Sequence, residues 1–288
     1  MKVLVLGASG MLGNAVTRVL SENRDWEVFG TLRSWGVERF FPREIAKSLV
    51  IGVDVDNPDT VVRAFDQIRP DVVVNCIGLV KQLADANDPL LAIPINALLP
   101  HRLARICELS GARLIHMSTD CVFSGVKGGY RESDLADARD LYGLSKYLGE
   151  VHYPHAITLR TSIIGHELLS AHSLVDWFLS QQGKCNGYTR AIFSGLPTVT
   201  LAEIIRDVVI PRPDLQGVYH VAANPIAKYD LLKLIAKVYG KEIEIFPDER
   251  LVIDRSLNAE RFREATGYVA PEWPELVAAM HEFWNRSK

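Results

Sequence analysis

Tyr142 and Lys146 are the residues of this chain whose types and spacing most directly suggest acid–base chemistry. They stand four positions apart in a stretch that can begin a helix, so both side chains share one helix face. A phenol ionises near pH 10, and a neighbouring ammonium group favours the phenolate form. Thr119 directly follows an apolar run, and its hydroxyl can hold a substrate oxygen near the phenol. These three residues form the predicted catalytic set, with Tyr142 as proton donor and Lys146 as the group that lowers its pKa.

A glycine-rich segment at residues 7–13, with the sequence G-A-S-G-M-L-G, directly follows the apolar run Val3–Leu6. Gly7 permits a tight turn, Gly10 lets the backbone approach a pyrophosphate, and Gly13 lets the next helix pack closely on the strand. The positive end of that helix offers N–H groups to phosphate oxygens. The predicted cofactor contacts in this segment are Gly7, Ser9, Gly10, Met11, Leu12 and Gly13.

The ends of the following strands indicate which dinucleotide is bound. Sites that prefer NAD usually carry an acidic residue after the second strand, but here Arg33 follows the predicted strand Glu27–Leu32. Arg33 can pair with a 2′-phosphate, so NADP (as NADPH) is the predicted cofactor and NAD the alternative. The remaining predicted cofactor contacts are Asp54, Val55, Cys76, Ile77, Gly78, Tyr142 and Lys146.

Short apolar runs that alternate with amphipathic stretches must position these residues. The predicted strands of the first half are Val3–Leu6, Glu27–Leu32, Ser48–Val53, Asp71–Asn75, Arg113–Met117 and Ala156–Arg160. The predicted helices between them are Gly10–Leu20, Thr60–Ile68, Leu90–Leu109 and Leu141–Val151. Continuous apolar strands separated by helices are typical of a parallel sheet covered on both faces. The sequence therefore predicts an α/β fold with a doubly wound parallel sheet, the Rossmann fold, and a smaller C-terminal substrate-binding lobe.

The regular alternation loosens after Arg160. Predicted helices are Ser173–Ser180, Leu201–Val209, Tyr229–Tyr239 and Pro274–Trp284; predicted strands are Gly217–Val221 and Ile243–Phe246, and Tyr188–Leu196 is irregular or extended. We expect a dinucleotide-binding domain over residues 1–160, with residues 200–222 returning to its sheet. Residues 161–288 are expected to form mainly the substrate-binding lobe.

Composition narrows the classes of ligand. The 288 residues are 48% hydrophobic and carry a formal net charge of −3, with no basic block of the kind that nucleic acid binding requires. The four cysteines and eight histidines lack metal-ligand spacing, so no metal site is predicted. The apolar start, Met1–Leu6, is too short for a signal-peptide core, and no apolar stretch is long enough to span a membrane. A cytoplasmic protein without a membrane partner is therefore expected.

Several motifs together resemble one known family. They are G-A-S-G-M-L-G at 7–13, V-V-N-C-I-G at 73–78, Asn96, S-T-D-C-V-F-S-G at 118–125, Y-G-L-S-K-Y-L-G-E at 142–150, L-R-T-S at 159–162 and G-V-Y-H-V at 217–221. The chain resembles the extended short-chain dehydrogenase/reductases and, more narrowly, the dTDP-4-dehydrorhamnose reductase family, over almost its whole length.

This resemblance implies reduction of the 4-keto group of a nucleotide-activated 6-deoxyhexose by NADPH or NADH, with Thr119, Tyr142 and Lys146 as catalytic residues. It also implies a homodimer and products that feed cell-surface polysaccharides. A nucleotide sugar needs positive and polar groups around its diphosphate and sugar. The predicted substrate-binding residues are Lys81, Thr119, Asp120 and Arg190.

Three alternatives to this function stay open. Cys121 stands where rhamnose-pathway reductases often have tyrosine, and Ile163–His166 also differs, so a UDP-2-acetamido-2,6-dideoxy-4-ketohexose is a second candidate substrate. An NAD-dependent nucleotide-sugar epimerase is another enzyme of the same fold. Related dehydratases carry Thr-Asp-Glu. Cys121 takes the place of that glutamate here, so the acid that elimination requires is missing. The third alternative is a non-catalytic NADP-binding regulatory protein.

Overall fold

The computed structural model describes residues 1–79, 87–171 and 173–287. Its strands are β1 Lys2–Leu6, β2 Glu27–Leu32, β3 Leu49–Ile51, β4 Val72–Asn75, β5 Arg113–Thr119, β6 Ala156–Thr161, β7 Ile163–Ile164, β8 Lys184–Tyr188, β9 Ala191–Phe193, β10 Leu196–Pro197, β11 Gly217–His220, β12 Ile226–Ala227, β13 Glu244–Asp248 and β14 Ile253–Asp254. Its α-helices are α1 Met11–Leu20, α2 Arg43–Ala46, α3 Pro58–Ile68, α4 Pro89–Ala92, α5 Leu99–Ser110, α6 Leu141–Leu148, α7 Leu174–Ser180, α8 Thr198–Ile204, α9 Lys228–Tyr239, α10 Glu260–Thr266 and α11 Trp273–Ser287.

Seven strands form the main sheet in the order β3-β2-β1-β4-β5-β6-β11. Every neighbouring pair in it is parallel. The strand order reverses between β1 and β4, and ligands of such sheets bind in the crevice at the carboxyl ends of the strands where this reversal occurs. The predicted doubly wound α/β fold is confirmed.

Two apolar layers cover the sheet because successive side chains of a strand point to opposite faces. Val3 and Val5 of β1 lie in one buried layer, together with residues of α1, α8 and α11. Leu4 and Leu6 lie in the other, together with residues of α3 and α5. This double burial explains why β1 is a continuous apolar run instead of an alternating one.

The second half adds three small sheets: β12-β9-β14, β13-β8 and β10-β7. β11 lies beside β6 in the main sheet. The two-residue strands β12 and β14 were not predicted, because two residues have no recognisable periodicity. The division into residues 1–160 and 161–288 stays a prediction.

The segment predicted as one helix, Leu90–Leu109, is not a regular α-helix in its middle. The segment Ile93–Leu98 between α4 and α5 is π-helical. Pro94 lies within it, and proline has no N–H to contribute to a regular α-helical ladder. Such π segments often occur at functional sites, and this one carries Asn96. None of the helices in the described part of the chain is long and apolar enough to cross a membrane.

Candidate active site

The glycine loop between β1 and α1 has the geometry that a phosphate-binding turn requires. Gly7 has a φ of +83°, which residues with a side chain rarely adopt, and its N–H donates to Thr31 Oγ1 at 3.0 Å. A Cβ at Gly13 would collide with the carbonyl oxygen of Gly7. Gly10 caps α1 without a side-chain hydrogen bond. The N–H groups at the start of α1 therefore keep the arrangement that accepts a pyrophosphate.

The loop after β4 closes the other side of this crevice. A Cβ built on Gly7 would lie 2.8 Å from Cγ1 of Ile77, so the two loops are in contact. A Cβ on Gly78 would lie 3.3 Å from Oδ1 of Asn96 and 3.6 Å from Nζ of Lys146. Burial raises the pKa of the Cys76 thiol to about 12, against the opposing charge of Lys146. The loops after β1 and β4 therefore meet Lys146 in one crevice.

The other predicted cofactor residues occupy the same edge of the sheet. Arg33 is exposed directly after β2, where it was predicted to meet a 2′-phosphate. The backbone N–H of Asp54, after β3, donates to Thr60 Oγ1 at 2.9 Å. The side chain of Leu12 is buried in the core, so its backbone is the part that can contact a cofactor. The roles of these residues, and of Ser9, Met11 and Val55, stay predictions.

Thr119 and Tyr142 are brought together by β5 and α6. Thr119, the last residue of β5, donates to Asp120 Oδ1 at 3.1 Å and accepts the N–H of Cys121 at 3.1 Å. Its side chain is also hydrogen-bonded to that of Tyr142. The Asp140 side chain accepts from the N–H of Gly143 at 2.9 Å, so α6 begins just before Tyr142. The hydroxyl and the phenol therefore face one point at the carboxyl edge of the sheet.

Burial raises the pKa of the Tyr142 phenol above its ordinary value. The nearby Cys121, Asp120 and Asp140 raise it further, and the interaction with the Thr119 side chain opposes the shift. The net shift is therefore upward, because desolvation of the phenolate is the largest effect. The predicted opposing effect of Lys146 stays a prediction. A phenol that keeps its proton at neutral pH is the form that a proton donor requires.

Lys146 is buried, and its Nζ donates to the carbonyl oxygen of Met117 at 2.7 Å. Burial lowers the pKa of its ammonium group to about 8, although the negative charge of Glu150 opposes the shift. The side chain of Lys146 therefore extends from α6 to β5 and to the loop that contains Gly78. It carries its charge at neutral pH and begins to lose it just above.

A buried ion pair lies near the predicted catalytic residues. Arg160 on β6 donates to both carboxylate oxygens of Glu150, at 2.7 and 2.6 Å, and the Ser118 hydroxyl donates to the same carboxylate at 2.7 Å. Burial, with the nearby charge of Arg160, lowers the pKa of His220 to about 3, so this histidine stays neutral beside the guanidinium. The pair links the end of α6 to β5 and β6, and thereby fixes Tyr142 relative to Thr119.

The predicted substrate residues are only partly brought together. Asp120 is buried next to Thr119, and burial raises the pKa of its carboxyl group. Arg190 is exposed just before β9, and its carbonyl oxygen accepts the N–H of Ile253 at 3.0 Å. Lys81 lies outside the described residues.

Sequence reasoning missed two basic residues near Asp120, namely Lys228 and Arg255. Isolated basic residues in the second half carry little signal of their own. One clue was available: Lys228 directly precedes the predicted helix Tyr229–Tyr239, where a positive charge opposes the helix dipole.

Comparison with known proteins identifies relatives over most of the chain. A family model described as RmlD substrate binding domain matches residues 1–282. Methionine adenosyltransferase 2 subunit beta of Danio rerio is 29% identical, over 83% of this chain and 74% of its own length. The dTDP-4-dehydrorhamnose reductase of Aggregatibacter actinomycetemcomitans is 25% identical, over 80% of this chain and 76% of its own. A crystal structure of dTDP-4-dehydrorhamnose reductase from Bacillus anthracis in complex with NADP is similar with a TM-score of 0.79 at 21% identity, covering 98% of this chain and 99% of that one.

Proposed function

Because the chain belongs to the RmlD substrate-binding-domain family, we propose that it is an NADPH-dependent reductase. Its substrate is a nucleoside-diphosphate 6-deoxy-4-ketohexose, whose 4-keto group is reduced to a hydroxyl group. The observation that carries this proposal is the contact between Thr119 and Tyr142 at the edge of the sheet that also bears the Gly7–Gly13 loop. The dTDP-4-dehydrorhamnose reductases among the relatives support the substrate class.

Each residue of the site has a separate role in the reaction. Bound NADPH supplies a hydride to the carbonyl carbon of the sugar, and NADH is the alternative donor. Tyr142 gives its phenolic proton to the carbonyl oxygen, and the Thr119 hydroxyl holds that oxygen beside the phenol. Lys146 places a positive charge next to the Gly78 loop, where it stabilises the phenolate that remains. The phenol then regains its proton from water.

The test is NADPH oxidation with purified protein and a panel of dTDP-, UDP- and GDP-linked 4-keto sugars. We expect oxidation with at least one member and a stoichiometric 4-hydroxy product. Tyr142→Phe is expected to lower kcat by roughly 10²- to 10⁴-fold while NADPH binding is retained. Tyr147→Phe is the matched control, because Tyr147 lies on the same helix but is exposed.

Two results would contradict the proposal. One is the absence of NADPH oxidation with every member of the panel. The other is full turnover by the Tyr142→Phe variant. The same panel separates dTDP sugars from UDP-2-acetamido-2,6-dideoxy-4-ketohexoses, and an epimerase would copurify with a cofactor that it does not release.

A second candidate is a non-catalytic, NADP-binding regulatory protein. It is favoured by the similarity to methionine adenosyltransferase 2 subunit beta, whose name describes a subunit of an enzyme. This candidate predicts that NADP(H) binds while no keto sugar is turned over, and that Tyr142→Phe changes nothing measurable. The retained Thr119, Tyr142 and Lys146 favour the reductase. A homodimer, a cytoplasmic location and a role in polysaccharide biosynthesis stay predictions.

A further inference from the structure

Two basic side chains lie beside the catalytic edge, on the side of the C-terminal lobe. Nε of Arg255 donates to the carbonyl oxygen of Phe123 at 2.8 Å, in the loop that follows Thr119. Lys228 is half-buried, close enough for its charge to interact with Asp120 and Cys121. The positive charges of Arg255 and Lys228 both lower the pKa of the Asp120 carboxyl group, against the larger effect of burial. The two cations therefore flank the residue next to Thr119.

The small sheet β12-β9-β14 creates this arrangement. Ala227 of β12 and Asp254 of β14 both pair with Ile192 of β9, and Lys228 and Arg255 are the residues that follow them. The N–H of Asp254 donates to the carbonyl oxygen of Gly125 at 2.8 Å, which fastens the sheet to the loop after β5. Both cations are thus held against the catalytic loop by backbone pairing.

This placement is electrostatically unfavourable for the protein by itself. Lys228 is the first residue of α9, where a cation opposes the positive end of the helix dipole. Burial and the charge of Arg255 both lower its pKa, against the charge of Asp120. Asp230 in the same turn is exposed, so solvent screens its charge. Two cations thus face one buried carboxyl group, whose own pKa burial raises.

We propose that Lys228 and Arg255 bind the diphosphate of the sugar-nucleotide substrate. This inference rests on the proposed reductase function. An anion relieves the unfavourable charge at Lys228. A forked guanidinium with a compact ammonium group suits two adjacent phosphate groups. Carbon 4 and the phosphate-bearing carbon 1 lie at opposite ends of the sugar ring. The phosphates must therefore bind about one sugar ring away from the carbonyl oxygen that Thr119 holds, on the side of Asp120 that faces the C-terminal lobe, where Lys228 and Arg255 lie. The Gly7–Gly13 loop is a separate anion site, for the cofactor.

Binding of free dTDP and UDP, measured by calorimetry on the full chain, tests this inference. Lys228→Gln and Arg255→Gln are each expected to weaken binding of the preferred nucleotide roughly 10- to 100-fold. Arg255→Lys is expected to recover part of that loss. Lys237→Gln is the matched control, because Lys237 is exposed near the other end of the same helix. NADPH binding is expected to be unchanged in all variants, which also shows that they fold.

Kinetics give a second readout. With the sugar nucleotide that the panel identifies, the rise in KM of Lys228→Gln is expected to exceed its fall in kcat, because the phosphates do not react. The corresponding nucleosides, thymidine and uridine, are expected to bind the wild type and both variants equally weakly.

The possible failures are distinguishable. If wild type binds dTDP or UDP and the variants at Lys228 and Arg255 bind it equally well, the phosphate site is elsewhere and the reductase proposal stands. If wild type binds NADPH but neither nucleotide, and turns over no 4-keto sugar, the proposed function fails and this inference fails with it.

Discussion

Replacing Glu150 by glutamine is expected to destabilise the protein by about 3–5 kcal/mol, the typical cost of removing one partner of a buried ion pair. The side chains of Arg160 and Glu150 are only 5% and 1% exposed, so solvent cannot replace the lost charge. Three hydrogen bonds converge on this carboxylate, two from Arg160 and one from Ser118. For a chain of this size the loss corresponds to a fall in Tm of roughly 10 °C.

Chemical denaturation of the wild type and Glu150→Gln measures this difference. Glu108→Gln is the matched control: its pair with Arg105 is exposed, and we expect a change below about 0.5 kcal/mol. Replacing both Glu150 and Arg160 by methionine is expected to recover much of the stability, because no buried charge is then left unpaired. A Glu150→Gln variant within about 1 kcal/mol of the wild type would refute the reasoning.

The same substitution has a consequence for catalysis. The charge of Glu150 raises the pKa of Lys146 against the larger effect of burial. Without that charge, the pKa of Lys146 is expected to fall below its value of about 8. The high-pH limb of kcat/KM should then move to lower pH, in those molecules that remain folded. A limb at an unchanged pH would show that Lys146 does not produce it.

Three further predictions concern the cofactor crevice. Burial holds the pKa of Lys146 at about 8 in the folded protein, against 10.5 for the ordinary group. Between these two pH values the unfolded chain binds the lysine proton and the folded protein does not. The unfolding free energy of the wild type relative to Lys146→Met should therefore rise with pH across that window, by at most about 3 kcal/mol, and a flat difference would contradict the assignment. Gly13→Ala is expected to cost about 1–3 kcal/mol of stability, because its methyl group meets the carbonyl oxygen of Gly7. Gly10→Ala should cost much less, since its Cβ would lie 3.4 Å from the same oxygen; equal losses in denaturation would show that the loop can relax. Arg33→Gln is expected to raise the KM for NADPH roughly tenfold and leave that for NADH unchanged, and an equal effect on both would remove Arg33 from the 2′-phosphate site.

Much of the fold could be predicted from the sequence because its signals are local. Strand β1, the glycine loop and α1 follow one another within twenty residues, and each has its own pattern of apolar or glycine positions. The predicted strands β2 and β5 begin where the structure has them. Two-residue strands such as β12 and β14 have no such pattern, since their pairing depends on partners far along the chain.

The sign of the pKa shift at Tyr142 shows a second limit to what the sequence can predict. The spacing of Tyr142 and Lys146 predicts that they share a helix face, and both do lie on α6. It cannot predict how deeply the phenol is buried, because desolvation depends on every element packed around it. In the structure burial is the largest effect on this pKa, and the neighbouring acidic groups act in the same direction.

The sequence by itself determined the dinucleotide-binding fold and the proposed catalytic set of Thr119, Tyr142 and Lys146, because these depend on periodicity and short spacings. Only the tertiary structure decided which charges surround that set. The Glu150 carboxylate, just after α6, pairs with Arg160 on β6. Pairing of β12 and β14 with β9 brings Lys228 and Arg255 near Asp120. The electrostatic energy of a charge depends on its distance to other charges and on its burial, and neither quantity can be read from the sequence.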